Sequence, residues 1–541
     1  MVSPSGRVGP TVRRAPTYIS CDRILGKMGP PTRSVVTGAS AVAVGLLLLA
    51  VATSFLPMSS VTAGPAAIMP SDYRSTTPSG TNLSSPVVGV IGTIPAGRFP
   101  EHMVEDVASG LLYVSNEGAG TVSVLDGTSL VTNIAVGAGA SGLAYDPNNN
   151  TVYVANSAVG SVSVISGTTV IATIPTGQGP CSPVFDAQDG YVYVPNSLSN
   201  NVTILNGTTL VGSTPVGEEP VDATYDPVNG TVYITNEESD FENILEGNLT
   251  VDVALTHLIA PFETVFDSVN DLLYVTNITP NDGIMSDVTV LNGTQRVATF
   301  PVGPGPDFAG VDTSTGEVYL PSIGLDAVEV INGTSITGSV AVGGEPQQAE
   351  FDPANGLVYV PDELTDDVNV ISGYRVVADV PVGQNPIAAA YSPASGYVYV
   401  SEIGAGAVDV LGTVTGWQVN FTAHGIPRGD DWSITIKQVT VSSVALSLQE
   451  YEANGSYAYL VGAPAGYVGA PANGSFTVNG GPVVLIVNFT VLQGPAGPGW
   501  LGFPNPVGAL LVGGTVATLI GVTIWQLLIR RLRKRERVLR G

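Results

Sequence analysis

One phrase recurs through the middle of this chain and limits what it can fold into. Gly190-Tyr-Val-Tyr-Val-Pro-Asn196 returns in variant form with its second aromatic at Tyr113, Tyr153, Tyr193, Tyr233, Tyr274, Tyr319, Tyr359 and Tyr399. The intervals are 40, 40, 40, 41, 45, 40 and 40 residues. A unit of that size cannot bury its apolar face alone, so the copies must stack into a solenoid or close into a propeller.

Each unit holds four short patterns of period-2 alternation, the grammar of strands. The first ends in an aromatic-Asp pair, as at Tyr145-Asp146, Phe185-Asp186, Tyr225-Asp226, Phe266-Asp267 and Phe351-Asp352. The second is the Tyr-Val strand, and the third alternates, as in Thr121-Val-Ser-Val124. The fourth runs into Pro-Val-Gly, as at Pro301-Val-Gly303 and Pro381-Val-Gly383. Asp-Pro-x-Asn-Gly turns (Asp226 to Gly230, with Asp352 to Gly356 similar) join first to second strands, and Asn-Gly-Thr hairpins at Asn206, Asn292 and Asn332 join third to fourth. Such units predict an all-β fold, an eight-bladed β-propeller over 86–412, with seven blades the alternative. Val87 to Gly97 reads as a fourth strand that arrives before any first strand, and the last unit ends near Leu411 without a fourth. The N-terminal strand is therefore expected to close the ring, which removes two open sheet edges.

The aromatic-Asp column has two readings: a lining for the central channel, or caps on the turn backbone. The prolines that follow three of these residues favour capping.

The charge distribution adds a membrane. Thirteen of 19 basic residues lie before residue 35 or after 529, leaving six basic residues against 43 acids between them, a net −37. The split falls on two uncharged apolar runs, each long enough to cross about 30 Å of hydrocarbon. The expected order is a basic cytoplasmic tail (1–34), a transmembrane helix or signal anchor (35–56), a Ser/Thr/Pro linker (57–85), the propeller (86–412), a small β-sandwich (413–493), a Gly/Pro linker (494–506), a transmembrane helix (507–529) and a basic cytoplasmic tail (530–541). The first apolar run also fits a cleaved signal peptide. Either way the main domains face outward at the cell membrane. With both ends inside, Cys21 and Cys181 fall on opposite sides and are not expected to pair within one chain.

Catalytic signatures are missing. The three histidines, His102, His257 and His424, show no metal-ligand spacing, and no nucleophile elbow or P-loop occurs. No cofactor, metal or catalytic residue is expected, and a strongly acidic ectodomain repels nucleic acid. Carboxylates brought together in the channel keep a lyase or lactonase-like hydrolase as the alternative. Two units carry insertions between second and third strands, Glu237-Glu-Ser-Asp-Phe-Glu242 and Ile278 to Ser286. Loops on a rigid scaffold carry binding function, so Glu237, Glu238, Asp240, Glu242, Asn281 and Asp282 are candidate contacts for a glycan or a surface-protein ligand. Candidate glycosylation sequons begin at Asn82, Asn149, Asn201, Asn206, Asn229, Asn248, Asn277, Asn292, Asn332, Asn420, Asn454, Asn473 and Asn488.

With Tyr-Val-Thr-Asn at 274–277 and close variants in the other copies, residues 87–411 resemble the YVTN-type β-propeller repeat of archaeal surface-layer proteins. The resemblance implies an extracellular propeller, joined to further β domains and a C-terminal membrane anchor. Its motif is one of folding and carries no catalytic residues. Departures are local: Val318-Tyr-Leu-Pro-Ser322 in the sixth copy and Val400-Ser-Glu402 in the last. The scarcity of outward-facing cations has a further implication. In acid most proteins become strongly positive and repel themselves, whereas this ectodomain would carry only about +9 on reference pKa values.

Overall fold

The computed structural model describes residues 84–492 apart from Asp240, 247–248, 255–259 and 279–285. Both apolar runs, both basic tails, residues 57–83 and the Gly/Pro linker lie outside the described residues. No helix among the described residues is long and apolar enough to cross a membrane.

The alternating segments form strands, and consecutive strands pair antiparallel. Among the described residues seven sheets have four consecutive strands each, spanning 100–135 (sheet 1), 140–175 (sheet 2), 184–215 (sheet 3), 220–254 (sheet 4), 261–302 (sheet 5), 310–341 (sheet 6) and 350–381 (sheet 7). Sheet 8 contributes only Pro386–Ser392, Tyr397–Glu402 and a long strand, Ala407–His424. Its fourth place is taken by Ser84–Pro95, paired antiparallel with the long strand from Ser84↔Trp417 to Pro95↔Ala407. First strands of successive sheets touch one another from sheet 1 to sheet 8, and that of sheet 8 touches that of sheet 1. This is the arrangement of a β-propeller.

The repeated tyrosine explains the spacing. Each is nearly fully buried, and in three of the sheets its hydroxyl reaches the hairpin turn of the next sheet. Tyr113 donates to the Gly167 carbonyl at 2.8 Å and Tyr153 to that of Gly207 at 3.0 Å. Tyr399 of sheet 8 donates to Gly127 of sheet 1, also at 3.0 Å, the same contact carried across the seam. The core accordingly lies between sheets. Tyr113, Val122 and Val124 pack with Val152, Val154 and Ile165 of the next sheet. Ile94, Val408 and Val410 pack with Leu112, Val114 and Leu125 at the seam.

The aromatic-Asp column caps turns. Asp146 Oδ1 accepts from the Asn148 amide, Asp226 from Val228 and Asp352 from Ala354, each at 2.8 Å. Sheet 8 has Ser392 at this position, and Glu105 of sheet 1 supplies the missing carboxylate. It accepts from the Ser392 hydroxyl at 2.9 Å and the Ala394 amide at 3.3 Å.

The long strand passes through residues 412 and 413 without a break and becomes part of the C-terminal module. There it pairs with Ser447–Glu452 and, in parallel, with Val483–Val491. A second sheet of Trp432–Ile436, Val439–Ser443, Gly455–Gly462 and Asn473–Val478 faces the first. Phe421, Trp432, Tyr459, Phe476 and Phe489 fill the space between. Trp432 meets Phe489 edge-on at 5.7 Å, and its indole donates to the Ala445 carbonyl at 2.7 Å.

Cys181 is fully buried and disulfide-bonded. That corrects the expectation of unpaired thiols; the chain's other cysteine, Cys21, lies outside the described residues.

Candidate functional site

Fourth strands run out through Val-Gly-x-x-Pro connections onto one face of the ring, and the loops between second and third strands open on the same face. Ser84 lies opposite Trp417 and Pro95 opposite Ala407. The N-terminal strand therefore begins, and the long strand leaves, at the other end.

In sheet 4 the turn from Asn236 to Phe241 is no longer than that of sheet 1 from Asn116 to Thr121, so the insertion expected there is absent, and the turn folds back on the preceding connection as in the other sheets. The Glu237 amide donates to the Glu219 carbonyl at 2.8 Å, and the Glu218 amide donates to Ser239 Oγ at 2.8 Å. Glu219 holds φ at 53° in the left-handed region, as do Phe99, Glu345 and Asn385 at equivalent corners. Glycine is the usual occupant of such positions, and other side chains there cost about 1–2 kcal/mol.

The structure separates the candidate residues. Glu238 is exposed on the loop face, whereas Glu237 and Glu242 are buried. Asp240, Asn281 and Asp282 lie outside the described residues. Burial, then the neighbouring Asp222 carboxylate, push Glu242 well above the usual carboxylate range, against a pull from the Thr235 hydroxyl. Glu263, on the first strand of sheet 5, is raised for the same two reasons. It accepts from the Ala309 amide at 3.0 and 3.2 Å. A neutral carboxylic acid donates a hydrogen bond and makes a poor ligand for a cation. No cluster of three metal-ligating side chains occurs among the described residues. Beside this group His102 and Phe262 pack on Phe308, with ring centroids 6.3 and 5.3 Å away. His102 comes from sheet 1 and Phe262 from sheet 5, so aromatic contacts link distant parts of the ring.

The same face carries a corner in each sheet where the second strand ends. In sheet 2, Asn156 Oδ1 accepts the Gly137 amide at 2.9 Å, and Nδ2 donates to Ser161 and Ser163 hydroxyls at 3.1 Å. A Cβ on Gly137 would meet Asn156 at 2.5 Å, so the close approach needs glycine. Sheet 1 repeats the arrangement with Asn116, which donates to Thr121 and Ser123 at 3.1 and 3.0 Å. In sheet 5, Asn277 donates to Asp287 at 2.8 Å and Thr289 at 3.2 Å. Sheets 7 and 8 carry Asp362 and Glu402 at this position. Both are fully buried. Burial, then Asp367, raise Asp362 well above the usual range. Burial and a hydrogen bond with Asp409 push Glu402 up to about 8.

Sheet 7 also receives the module. The Lys437 ammonium donates to the Asp379 carbonyl and lies 5.2 Å from the Tyr457 ring. Burial, then Asp367, push Asp379 up to about 7. Glu452, beside Lys437, is raised to about 7 by burial.

Sequence reasoning missed Asp222, Glu263, Asp379 and Lys437, which long-range packing brings to their partners. The signal for Glu402 was present, since its copy of the repeat ends in Ser-Glu where others end in Asn. Of the sequons, Asn149, Asn206, Asn229, Asn292, Asn332, Asn454, Asn473 and Asn488 are exposed, and Asn201 and Asn420 are half-buried. Asn277 is buried in its corner, which withholds it from a glycosylating enzyme once the sheet has formed. Asn82 and Asn248 lie outside the described residues.

No protein-family profile matches the chain, and no curated protein matches its sequence. Among solved structures it is similar to the hydrazine synthase of Kuenenia stuttgartiensis, at 14% identity over 50% of this chain and 95% of that one, with a TM-score of 0.42. Dihydro-heme d1 dehydrogenase NirN is similar at 15% identity, over 57% and 73%, with a TM-score of 0.47. Virginiamycin B lyase from Staphylococcus aureus is similar at 11% identity, over 51% and 95%, with a TM-score of 0.41.

Proposed function

We propose that the chain is an eight-bladed propeller of the YVTN surface-layer type, held outside the cell by its C-terminal apolar segment. It acts in surface structure or adhesion by binding a glycan or a surface protein on its loop face. One observation carries this reading: the polar positions that recur from sheet to sheet are engaged in holding the ring. Aspartates such as Asp146 cap turns, tyrosines such as Tyr153 reach the next sheet and asparagines such as Asn156 fasten corners. What varies between sheets is the loop face, where Glu238 is exposed and which lies opposite the strand leading to the C-terminal module. Solvent-accessible catalytic pairs find no support in Glu242 and Glu263, because both are buried.

The test is a glycan and surface-protein array probed with the full chain in detergent. Expected is binding that Glu238→Lys weakens at least tenfold while the melting temperature holds. Turnover of a lactone or glycoside by the chain, abolished in Glu263→Gln, would overturn the reading in favour of an enzyme.

A further inference from the structure

The seam that closes the ring passes through a corner unlike those of sheets 1 and 2. Asparagine there accepts from a glycine amide with its oxygen and donates with its nitrogen to third-strand hydroxyls. In sheet 8 the glycine contact survives: Gly383 donates to Glu402 Oε1 at 2.8 Å and to Asp409 Oδ2 at 3.2 Å. The donor half is missing. The third-strand partner is Asp409, and Glu402 Oε2 is buried without a donor. Two ionised carboxylates are acceptors only, so neither satisfies the other. Asp409 Oδ1 meanwhile accepts from the Thr93 hydroxyl of the N-terminal strand at 2.5 Å.

We propose that one proton shared between Glu402 and Asp409 replaces the asparagine amide of the other corners, so that closure of the ring by the N-terminal strand depends on acid. A protonated Glu402 keeps its carbonyl oxygen for Gly383 and turns its O–H toward Asp409. Asp409 accepts that hydrogen bond and holds Thr93. Removing the proton sets two carboxylates face to face in a buried site, with Asp366 of sheet 7 adding a third negative charge nearby. No cation is among the groups acting on Glu402. One sheet earlier Asp362 also lies against an acid, Asp367, but Asn369 stands in the place of Asp409 and accepts the Gly343 amide at 3.1 Å; Asp379 adds negative charge there and Lys437 partly offsets it.

The direction follows from linkage. A carboxyl whose proton is held more tightly in the folded state adds stability below its unfolded pKa, near 4, and loses that contribution as pH rises through its folded value. For Glu402 the window runs from about 4 to about 8.

Hydrogen exchange by mass spectrometry on the full chain reads the seam directly. Protection of 84–95, relative to the corresponding strand of sheet 2 at 169–175, should fall at least tenfold between pH 6 and pH 9. Glu402→Gln, which supplies the missing donor without a proton, should abolish that fall and raise the melting temperature at pH 9 by several degrees. At pH 5 it should change little. A constant protection ratio across this range in the wild-type chain would overturn the proposal, whatever the variant does. So would a Glu402→Gln chain that misfolds, or that loses stability equally at pH 5 and pH 9.

Discussion

Sheets 1 and 2 and sheets 7 and 8 solve one geometric problem with different chemistry. In each, the end of the second strand must meet an incoming glycine connection and tie it to the third strand. Asn116 and Asn156 do so with amides that keep their donors at every pH. Glu402 does so with a carboxyl, which offers a donor only while protonated, and Asp362 puts a second buried carboxyl at the same position, where the Gly343 amide goes to Asn369. One backbone thus carries pH-indifferent corners on one side of the ring and proton-dependent corners on the other. The acidic pair flanks the two added elements, since sheet 8 takes in the N-terminal strand and sheet 7 meets Lys437 of the module.

The contrast breaks most completely if the seam is removed. Deleting residues 86–97 takes away the strand that completes sheet 8 and exposes its edge. Loss of the cooperative thermal transition by circular dichroism is expected; an unchanged melt would mean that the ring closes otherwise. Asn277→Asp should convert a neutral corner into an acidic one, because the new carboxyl would face Asp287 where the amide now donates. The expected loss is about 2–4 kcal/mol at pH 8 and little at pH 4, read from urea unfolding at both values. The reverse change, Asp362→Asn, should gain about 1 kcal/mol at pH 8 and flatten the fall in stability between pH 5 and 8. Equal effects at both pH values would show that geometry, not protonation, separates the two sides. The smallest effect concerns Glu345, with φ at 57°. Glu345→Gly should relieve strain by up to about 1 kcal/mol without altering pH dependence, as read from the same unfolding curves.

At the scale of the whole chain, stability is expected to be higher at pH 4 than at pH 8. Glu402, Asp379 and Glu452 all have folded values raised to about 7 or 8 and so lose their contribution across that interval. Melting temperatures across the range check the sign. A curve rising toward pH 8 would mean that carboxylates lowered in the folded state, as Asp106 is, outweigh them.

Much of this architecture could be read from residues because it is local or repeated. Alternation of valine with tyrosine gave the strands, and turn chemistry distinguished capping aspartates from a channel lining. The incomplete last unit and the stray strand at 87–97 implied each other. The long strand 407–424 was less legible, since the domain boundary was expected at 412–413, beside Gly412 and Gly416. They are sites of close packing instead: a Cβ on Gly416 would meet Val87 at 2.6 Å, and one on Gly412 would meet Ile91 at 2.9 Å. Glu242 looked like a loop acid because its neighbours in sequence are acidic, yet its place in the third strand turns it inward. The partnership of Lys437 with Asp379 spans 58 residues and leaves no local trace.

The register of the closing seam also has a mechanical meaning. Ser84–Pro95 and Ala407–His424 lie side by side, with the outward ends of both strands at the same end of the ladder. A pull on the loop face, resisted at those ends, draws the two strands in one direction and stretches them as a pair. Tension divided in that way does not slide one strand along the other. If only the C-terminal end is held, the long strand takes the whole load while its partner rides along unloaded.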